Sequence, residues 1–162
     1  MHTRGRLLGG SSAINAMAFT RGHRSSYDEW VPAGAKGWGF DDLLPFVKRS
    51  EQVEGRDPAV RGVDGPLRPG PAVGPHPISS DGLDEGFGWC DMSIVDGRRQ
   101  SAADAYLNPV LSRGNLDVVT DALVYQLIVT GNRCTGVQYR TGTETRTAEC
   151  ETEMLLAARS TI

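Results

Sequence analysis

Apolar positions follow two different rhythms along this chain. Phe40, Leu43, Leu44 and Val47 recur at i, i+3, i+4 and i+7, the repeat of one helical face. Asp41 and Asp42 near the start of that stretch and Lys48 and Arg49 near its end complement a helix dipole. Pro45 is expected to split it into a short turn and a following helix. Just upstream, Ser25–Trp30 ("SSYDEW") has the serine-then-acid order of a helix start. Ser101–Leu111 also reads as helical, with Pro109 interrupting it. From Leu116 onward the rhythm becomes that of strands. "LDVVT" (Leu116–Thr120), "ALVYQLIVT" (Ala122–Thr130), "CTGVQYR" (Cys134–Arg140) and "ETRTAECE" (Glu144–Glu151) alternate or are β-branched. Gly131–Asn132 and Gly142 supply turns between them, which predicts an antiparallel meander. "EMLLAA" (Glu153–Ala158) then reads as a strand buried on both faces. Residues 55–100 lack periodicity, and their Gly- and Pro-rich course predicts a long irregular crossing with one strand near Pro66–Arg68. The elements together predict an α+β chain, with short N-terminal helices and a C-terminal β-meander.

Composition narrows the function classes. A length of 162 residues suits one domain, and 39% hydrophobic with 23% charged residues is ordinary for a globular chain. The formal charge of −3 gives no nucleic-acid footprint. Arg21/His23/Arg24 and Arg98/Arg99 are too short for basic tails and read as solvated faces. Cys90, Cys134 and Cys150 form no CxxC pair, and His2, His23 and His76 show no ligand spacing with them, so neither a metal nor a disulfide framework is expected. No apolar run approaches a membrane span. These features predict a soluble, cytoplasmic chain with no membrane partner.

The chemistry concentrates in "GRLLGGSSAINAMAFTRG", Gly5–Gly22. Gly9–Gly10 permits positive φ and close approach of backbone to a ligand, and Ser11 or Ser12 can cap a following helix. Such a loop can hold a phosphate or pyrophosphate, or be turn chemistry alone. It is not a P-loop, since no Gly-Lys-Ser/Thr follows, and the dinucleotide fingerprint GxGxxG is absent. His23 lies in a turn and Asp41/Asp42 at a helix start, Cys90 lacks an adjacent base, and Trp30, Trp38 and Trp89 suit core or lid packing.

The extended pattern Gly5-Arg6-x-Leu8-Gly9-Gly10-Ser11-Ser12-x-Ile14-Asn15-x3-Phe19-x2-Gly22-x5-Asp28 resembles the first signature of the glucose–methanol–choline (GMC) flavin oxidoreductases. "GWGFDDLLPFVKRSE", "GVDGPLR", "DGRRQSAADAYLNPVLSRGNLDVVT" and "ALVYQLIVTGNRCTGVQY" follow in that family's order. The resemblance implies FAD as cofactor, within a portion of an α/β FAD-binding domain. Gly9, Gly10, Ser11 and Ser12 fall where the family's loop runs along the cofactor. Gly9, Gly10 and Ser11 would offer backbone N–H groups and a hydroxyl to its phosphate and ribityl part. Asn15, Ala16, Met17 and Ala18 fall where relatives line the flavin ring, and the main chain of Val124 where they meet the adenine. Some relatives attach FAD covalently through a histidine. Ile14 matches that position, so non-covalent binding is implied.

The implied reaction is hydride transfer from a small-molecule alcohol to flavin N5, with a histidine of another domain taking the hydroxyl proton. In the family's order the βαβ unit precedes Gly5, the substrate domain and catalytic histidine follow Ile162, and a helix is lacking between Pro77 and Gly86. The expectation is therefore a partial FAD-binding domain over 1–162: flavin loop and helices over 1–54, shortened crossing over 55–100, helix plus meander over 101–162. It is expected to carry no catalytic residue, to be inactive alone, and to need a complementing chain or to self-associate. Glu153–Ala158 is expected to lack its sheet partners. A non-enzymatic remnant that has lost FAD, and an unrelated phosphate-binding domain, are the alternative readings.

Overall fold

The computed structural model describes residues 4–71 and 90–157. Trp89, His2, His76, the Pro77–Gly86 shortening and the end of the predicted last strand at Ala158 lie outside those residues. The chain forms two compact units, Met1–Gly114 and Asn115–Ile162.

In the first unit, a 3₁₀ turn over Gly10–Ala13 is followed by a two-residue strand β1 (Ala18–Phe19) and helix α1 (Arg24–Asp28). The start of α1 is set by His23, whose Nδ1 accepts from Ser25 N at 3.2 Å, and not by Ser25. His23 is thus a helix cap. Helix α2 (Phe40–Ser50) runs unbroken through Pro45. Pro45 is the sixth of its eleven residues and forfeits the mid-helix bond to the Asp41 carbonyl, while the half-buried apolar row Phe40, Leu43, Leu44, Val47 keeps one face of the helix on the unit. Gly39 N donates to Asp42 Oδ2 (3.1 Å), and Asp28 Oδ1 accepts from Phe40 N (2.9 Å), so two carboxylates satisfy the helix start.

The predicted strand at Pro66–Arg68 reduces to a single bridge from Leu67 to Glu51, in which Leu67 N donates to Ser50 O and Leu67 O accepts from Gln52 N. Short strands form instead at β2 (Gly70–Pro71), β3 (Asp91–Met92), β4 (Ile94–Val95) and β5 (Arg98–Arg99). β3 lies between β1 and β2, antiparallel to both, with Ala18 and Gly70 each opposite Met92. β4 and β5 form a hairpin whose turn residues Asp96 (φ 50°) and Gly97 (φ 73°) are both left-handed, as a two-residue Asp-Gly turn requires. The predicted Ser101–Leu111 helix is wound unevenly, as a π turn over Ala103–Leu107 that tightens to 3₁₀ at Asn108–Val110 around Pro109.

The second unit is the meander: β6 (Ala122–Thr130), β7 (Arg133–Thr141) and β8 (Glu144–Glu149), in that order and antiparallel. Two-residue turns join Thr130 to Arg133 and Thr141 to Glu144, with Gly131 and Gly142 both at φ 60°. Leu116–Thr120 joins no ladder, and neither do the described residues of the predicted last strand, Glu153 to Ala157. Leu155 and Leu156 there are exposed, and among the described residues no strand pairs with them.

Burial in the first unit is unusual. The most deeply buried side chains are Glu51, Arg61 and Asp91, with Val53, Ala103 and Ala105 the small apolar contribution. Arg61 donates from Nε (2.9 Å) and Nη2 (3.2 Å) to Glu51, and from Nη1 (3.2 Å) to Asp91. Arg21 pairs with Glu51 and donates to the Val60 carbonyl, and Arg56 reaches Asp91 at 3.4 Å. This corrects the solvated-face reading of Arg21, whose side chain is nearly buried. Burial pushes its guanidinium below the ordinary arginine value, and Glu51 opposes that shift. Gly62 and Gly65 let the chain close around the cluster: a Cβ on Gly62 would lie 2.0 Å from the Lys48 carbonyl oxygen, and one on Gly65 2.2 Å from Glu51 N. Of the core-or-lid expectation for Trp30 and Trp38, the core half fails. Both are well exposed, and Trp30 makes an edge contact with Tyr27.

Among the described residues, no helix is long and apolar enough to cross a membrane, and no group of His, Cys, Asp or Glu could hold a metal ion. The three cysteines are free and half-buried.

Candidate functional site

Gly5–Ala18 is a tightly wound loop, and its glycines have distinct tasks. Gly5 backs directly onto Gly10, where a Cβ would lie 2.2 Å from the Gly10 carbonyl oxygen. Gly9 turns left-handed (φ 86°) against Ser101, leaving 3.0 Å between a would-be Cβ and Ser101 Oγ. Gly10 is also left-handed (φ 53°), but nothing lies within 4 Å of its Cβ position, so that side of the loop is clear. The loop consumes some of its own polar groups. Gly10 N donates to Leu7 O at 2.9 Å and Ser12 N to Gly9 O at 3.2 Å. The Ser12 hydroxyl donates to Gly9 O and accepts from Ala102 N at 2.8 Å. Ser12 is therefore a bridge between this loop and the Ser101 helix start. Ser11 is exposed, and its Oγ accepts from Gly5 N at 3.4 Å.

The segment after the turn is strained and held. Met17 takes a left-handed backbone (φ 63°), a conformation that costs a non-glycine residue roughly 1–3 kcal/mol. Asn15 Oδ1 accepts from Met17 N at 3.1 Å, and Met17 O accepts from Ser93 N (2.8 Å) and Ser93 Oγ (3.2 Å). Arg99 Nη1 donates to Asn15 Oδ1 (2.6 Å) and to Ser12 O (3.1 Å). Asn15, Ala16 and Ala18 are exposed and Met17 half-buried, so the outer face of this segment is small side chains and one carboxamide.

One hairpin supplies most of that grip. Ser93 stands at the start of β4 and Arg99 at the end of β5, and Gln100 N closes the base onto Ser93 O at 2.9 Å. Arg99 was read from sequence as part of a solvated pair. Arg98 is exposed, but Arg99 is half-buried on the loop. The signal that finds it is the Asp96–Gly97 dipeptide between Ile94–Val95 and Arg98–Arg99, a hairpin pattern inside the stretch read as irregular. Behind Arg99, Ser101 and Asp104 cap the next helix reciprocally. Asp104 Oδ2 accepts from Ser101 N (2.8 Å) and Ser101 Oγ (2.6 Å), and these bonds hold the Asp104 carboxyl below the ordinary aspartate range.

Gly9, Gly10, Ser11, Ser12, Asn15, Ala16, Met17 and Ala18 thus lie along one loop of the first unit, Ser11, Asn15, Ala16 and Ala18 exposed and the others half-buried. Val124 lies in the second unit on β6, opposite Tyr139, half exposed, where the register shifts between Val124 and Gln126 and interrupts the ladder.

The sequence profile described as GMC oxidoreductase matches residues 1–162. Mitochondrial choline dehydrogenase of Homo sapiens is 37% identical over 172 residues, 95% of this chain and 29% of that protein. The oxygen-dependent choline dehydrogenase of Sinorhizobium medicae is 37% identical over 175 residues, 97% of this chain and 32% of that protein. Among solved structures, pyridoxine 4-oxidase from Mesorbium loti superposes with a TM-score of 0.82 at 31% identity, over 90% of this chain and 33% of that one. The chain spans about a third of the length of the relatives it matches.

Proposed function

This chain belongs to the GMC oxidoreductase family, and from that premise we propose that it forms part of the FAD cradle of an oxidoreductase acting on the CH–OH group of a small alcohol. The observation that carries the reading is the loop itself. It has a clear side at Gly10, small exposed residues at Ala16 and Ala18, and a strained Met17 held in place from behind. A loop built for turning alone has no need of a left-handed methionine fixed by Ser93 and by Asn15, which Arg99 holds in turn. Its flat, small-residue face suits a planar ring, and the exposed Ser11 hydroxyl suits the polar chain beside it.

Bound there, the flavin would supply the two-electron acceptor for alcohol oxidation. This chain's residues would position and shield it: Gly9, Gly10 and Ser11 along the phosphate side and Asn15 to Ala18 along the ring; the family resemblance alone assigns the main chain of Val124 to the adenine. The Gly10 N–H is engaged with Leu7, so Gly10 would contribute open space in place of a donor. Between Gly9 and Thr20 there is no His, Cys or Tyr, and Ile14 stands at the position of covalent attachment, which supports non-covalent binding. No residue of the loop has the character of an alcohol-deprotonating base. The relatives named above are called after choline and pyridoxine, both alcohols, and an alcohol is the substrate class we assign to the whole enzyme.

The test is titration of FAD into the isotope-labelled full chain, followed by amide NMR, with ATP as control. Shifts confined to Gly9–Ala18 and to the neighbourhood of Val124, with no matching ATP response at Asn15–Ala18, are expected. An FAD response indistinguishable from that of ATP, or none, overturns the cradle.

A further inference from the structure

The Asn15 carboxamide has its orientation forced. Its Oδ1 receives the Arg99 guanidinium at 2.6 Å and Met17 N at 3.1 Å, and both partners are obligatory donors. A flipped amide would set N–H against N–H at both contacts, so oxygen must be the inner atom. The outer atom is then Nδ2, on an exposed residue beside Ala16 and Ala18. Building on the flavin-cradle reading, we propose that Arg99 is a positioning residue for the cofactor: it holds Asn15 so that the two Nδ2 hydrogens face the ring-side surface as donors.

Three features make this more than a surface contact. The Arg99–Asn15 bond is short and charge-assisted, of the stronger class of protein hydrogen bonds. The same Nη1 also donates to Ser12 O at 3.1 Å, so one guanidinium ties the turn and the ring-side segment together. Arg99 is itself fixed, because β4–β5 is closed at its base by Gln100 N on Ser93 O, and Ser93 grips Met17 O from the other end. A cation behind the carboxamide polarises it and strengthens the outward N–H donors. The ligand edge that such a pair of donors recognises is an acceptor edge, a ring carbonyl or ring nitrogen, and a hydrocarbon face would leave them unpaired.

Two variants separate the holding role from a purely structural one. Asn15→Asp keeps an oxygen toward both Arg99 and Met17 N and replaces the outward donors with a charged acceptor. Arg99→Met keeps the length of the side chain and deletes its donors, and Arg99→Lys restores a charged donor. In the FAD-free full chain, Arg99→Met is expected to shift and average the two Asn15 side-chain NH signals, with amides of β6–β8 unmoved. Arg99→Lys is expected to restore them in part. In FAD titrations, Asn15→Asp and Arg99→Met should each bind about tenfold more weakly, the scale of one lost hydrogen bond to a charged or polarised group. Asn15→Asp should do so with the Gly9–Ala13 amides still in their wild-type positions. Asn15 signals indifferent to Arg99→Met, or full FAD affinity in Asn15→Asp, overturn the proposal. If the wild-type chain ignores FAD, the cradle reading and the donor role fall together. The FAD-free Asn15 signals still decide whether Arg99 holds the carboxamide.

Discussion

Replacing Glu51 by Gln tests whether the buried ion cluster is the keystone of the first unit. Glu51 is fully buried, and its Oε1 alone receives Arg61 Nε (2.9 Å), Gly62 N (3.0 Å) and Arg21 Nη2, while Oε2 receives Arg61 Nη2 (3.2 Å). A glutamine that keeps its oxygen on the crowded side must turn its NH₂ toward Arg61 Nη2, donor against donor. The substitution also takes the charged partner from Arg21 and leaves Arg61, with Arg56, on Asp91. Removing one partner of a buried ion pair costs about 3–5 kcal/mol, because the remaining charges have already lost their water. The cost therefore falls on folding. For a unit of this size the loss corresponds to a melting point lower by roughly 10–20 °C. The assay is urea and thermal unfolding followed by tryptophan fluorescence and far-UV circular dichroism. Asp41→Asn, which breaks the exposed Arg24–Asp41 pair, serves as control and should leave the midpoint within experimental scatter. If Glu51→Gln unfolds no earlier than Asp41→Asn, the cluster is not what holds this unit, and the reasoning fails.

Two other outcomes follow from the same geometry. Gly62→Ala should destabilise the first unit by about 1–3 kcal/mol or more, since its Cβ would lie 2.0 Å from the Lys48 carbonyl oxygen and backbone must move. Urea midpoints measure this, and an unchanged midpoint would contradict the close approach. Asp104 has its folded pKa depressed by the Ser101 hydrogen bonds, so its contribution is present above the ordinary aspartate range and is lost as pH falls through that lowered value. Amide signals of Ser101 and Asp104 should therefore move together below the ordinary aspartate range and stay put above it, and Asp104→Asn should abolish the transition.

Much of this architecture was legible from local rules. The helical face of Phe40, Leu43, Leu44 and Val47 formed where the period placed it, and the glycine turns closed the meander at Gly131 and Gly142. Pro45 does not split the helix: even at mid-helix it removes one backbone bond, and the half-buried apolar row of the same face holds the turns on either side of it. Leu116–Thr120 and Glu153–Ala157 have strand-forming residues but no strand, because a strand exists only when a neighbour takes its N–H and C=O groups. The loop from Gly9 to Ala18 is identifiable by its spelling alone, and the structure adds the left-handed turns at Gly9, Gly10 and Met17.

What the sequence by itself determined is this loop, the order of its neighbours and the family to which they belong, since motif spacing is a property of the chain in one dimension. Tertiary structure alone decided what stands behind the loop. Arg99 meets Asn15 across 84 positions, Ser93 meets Met17 across 76, and Glu51, Arg61 and Asp91 meet inside the first unit. The physical reason is that an isolated arginine or glutamate looks the same in sequence whether it faces water or another charge. Only the folded chain fixes its partner, its burial and therefore the energy of losing it.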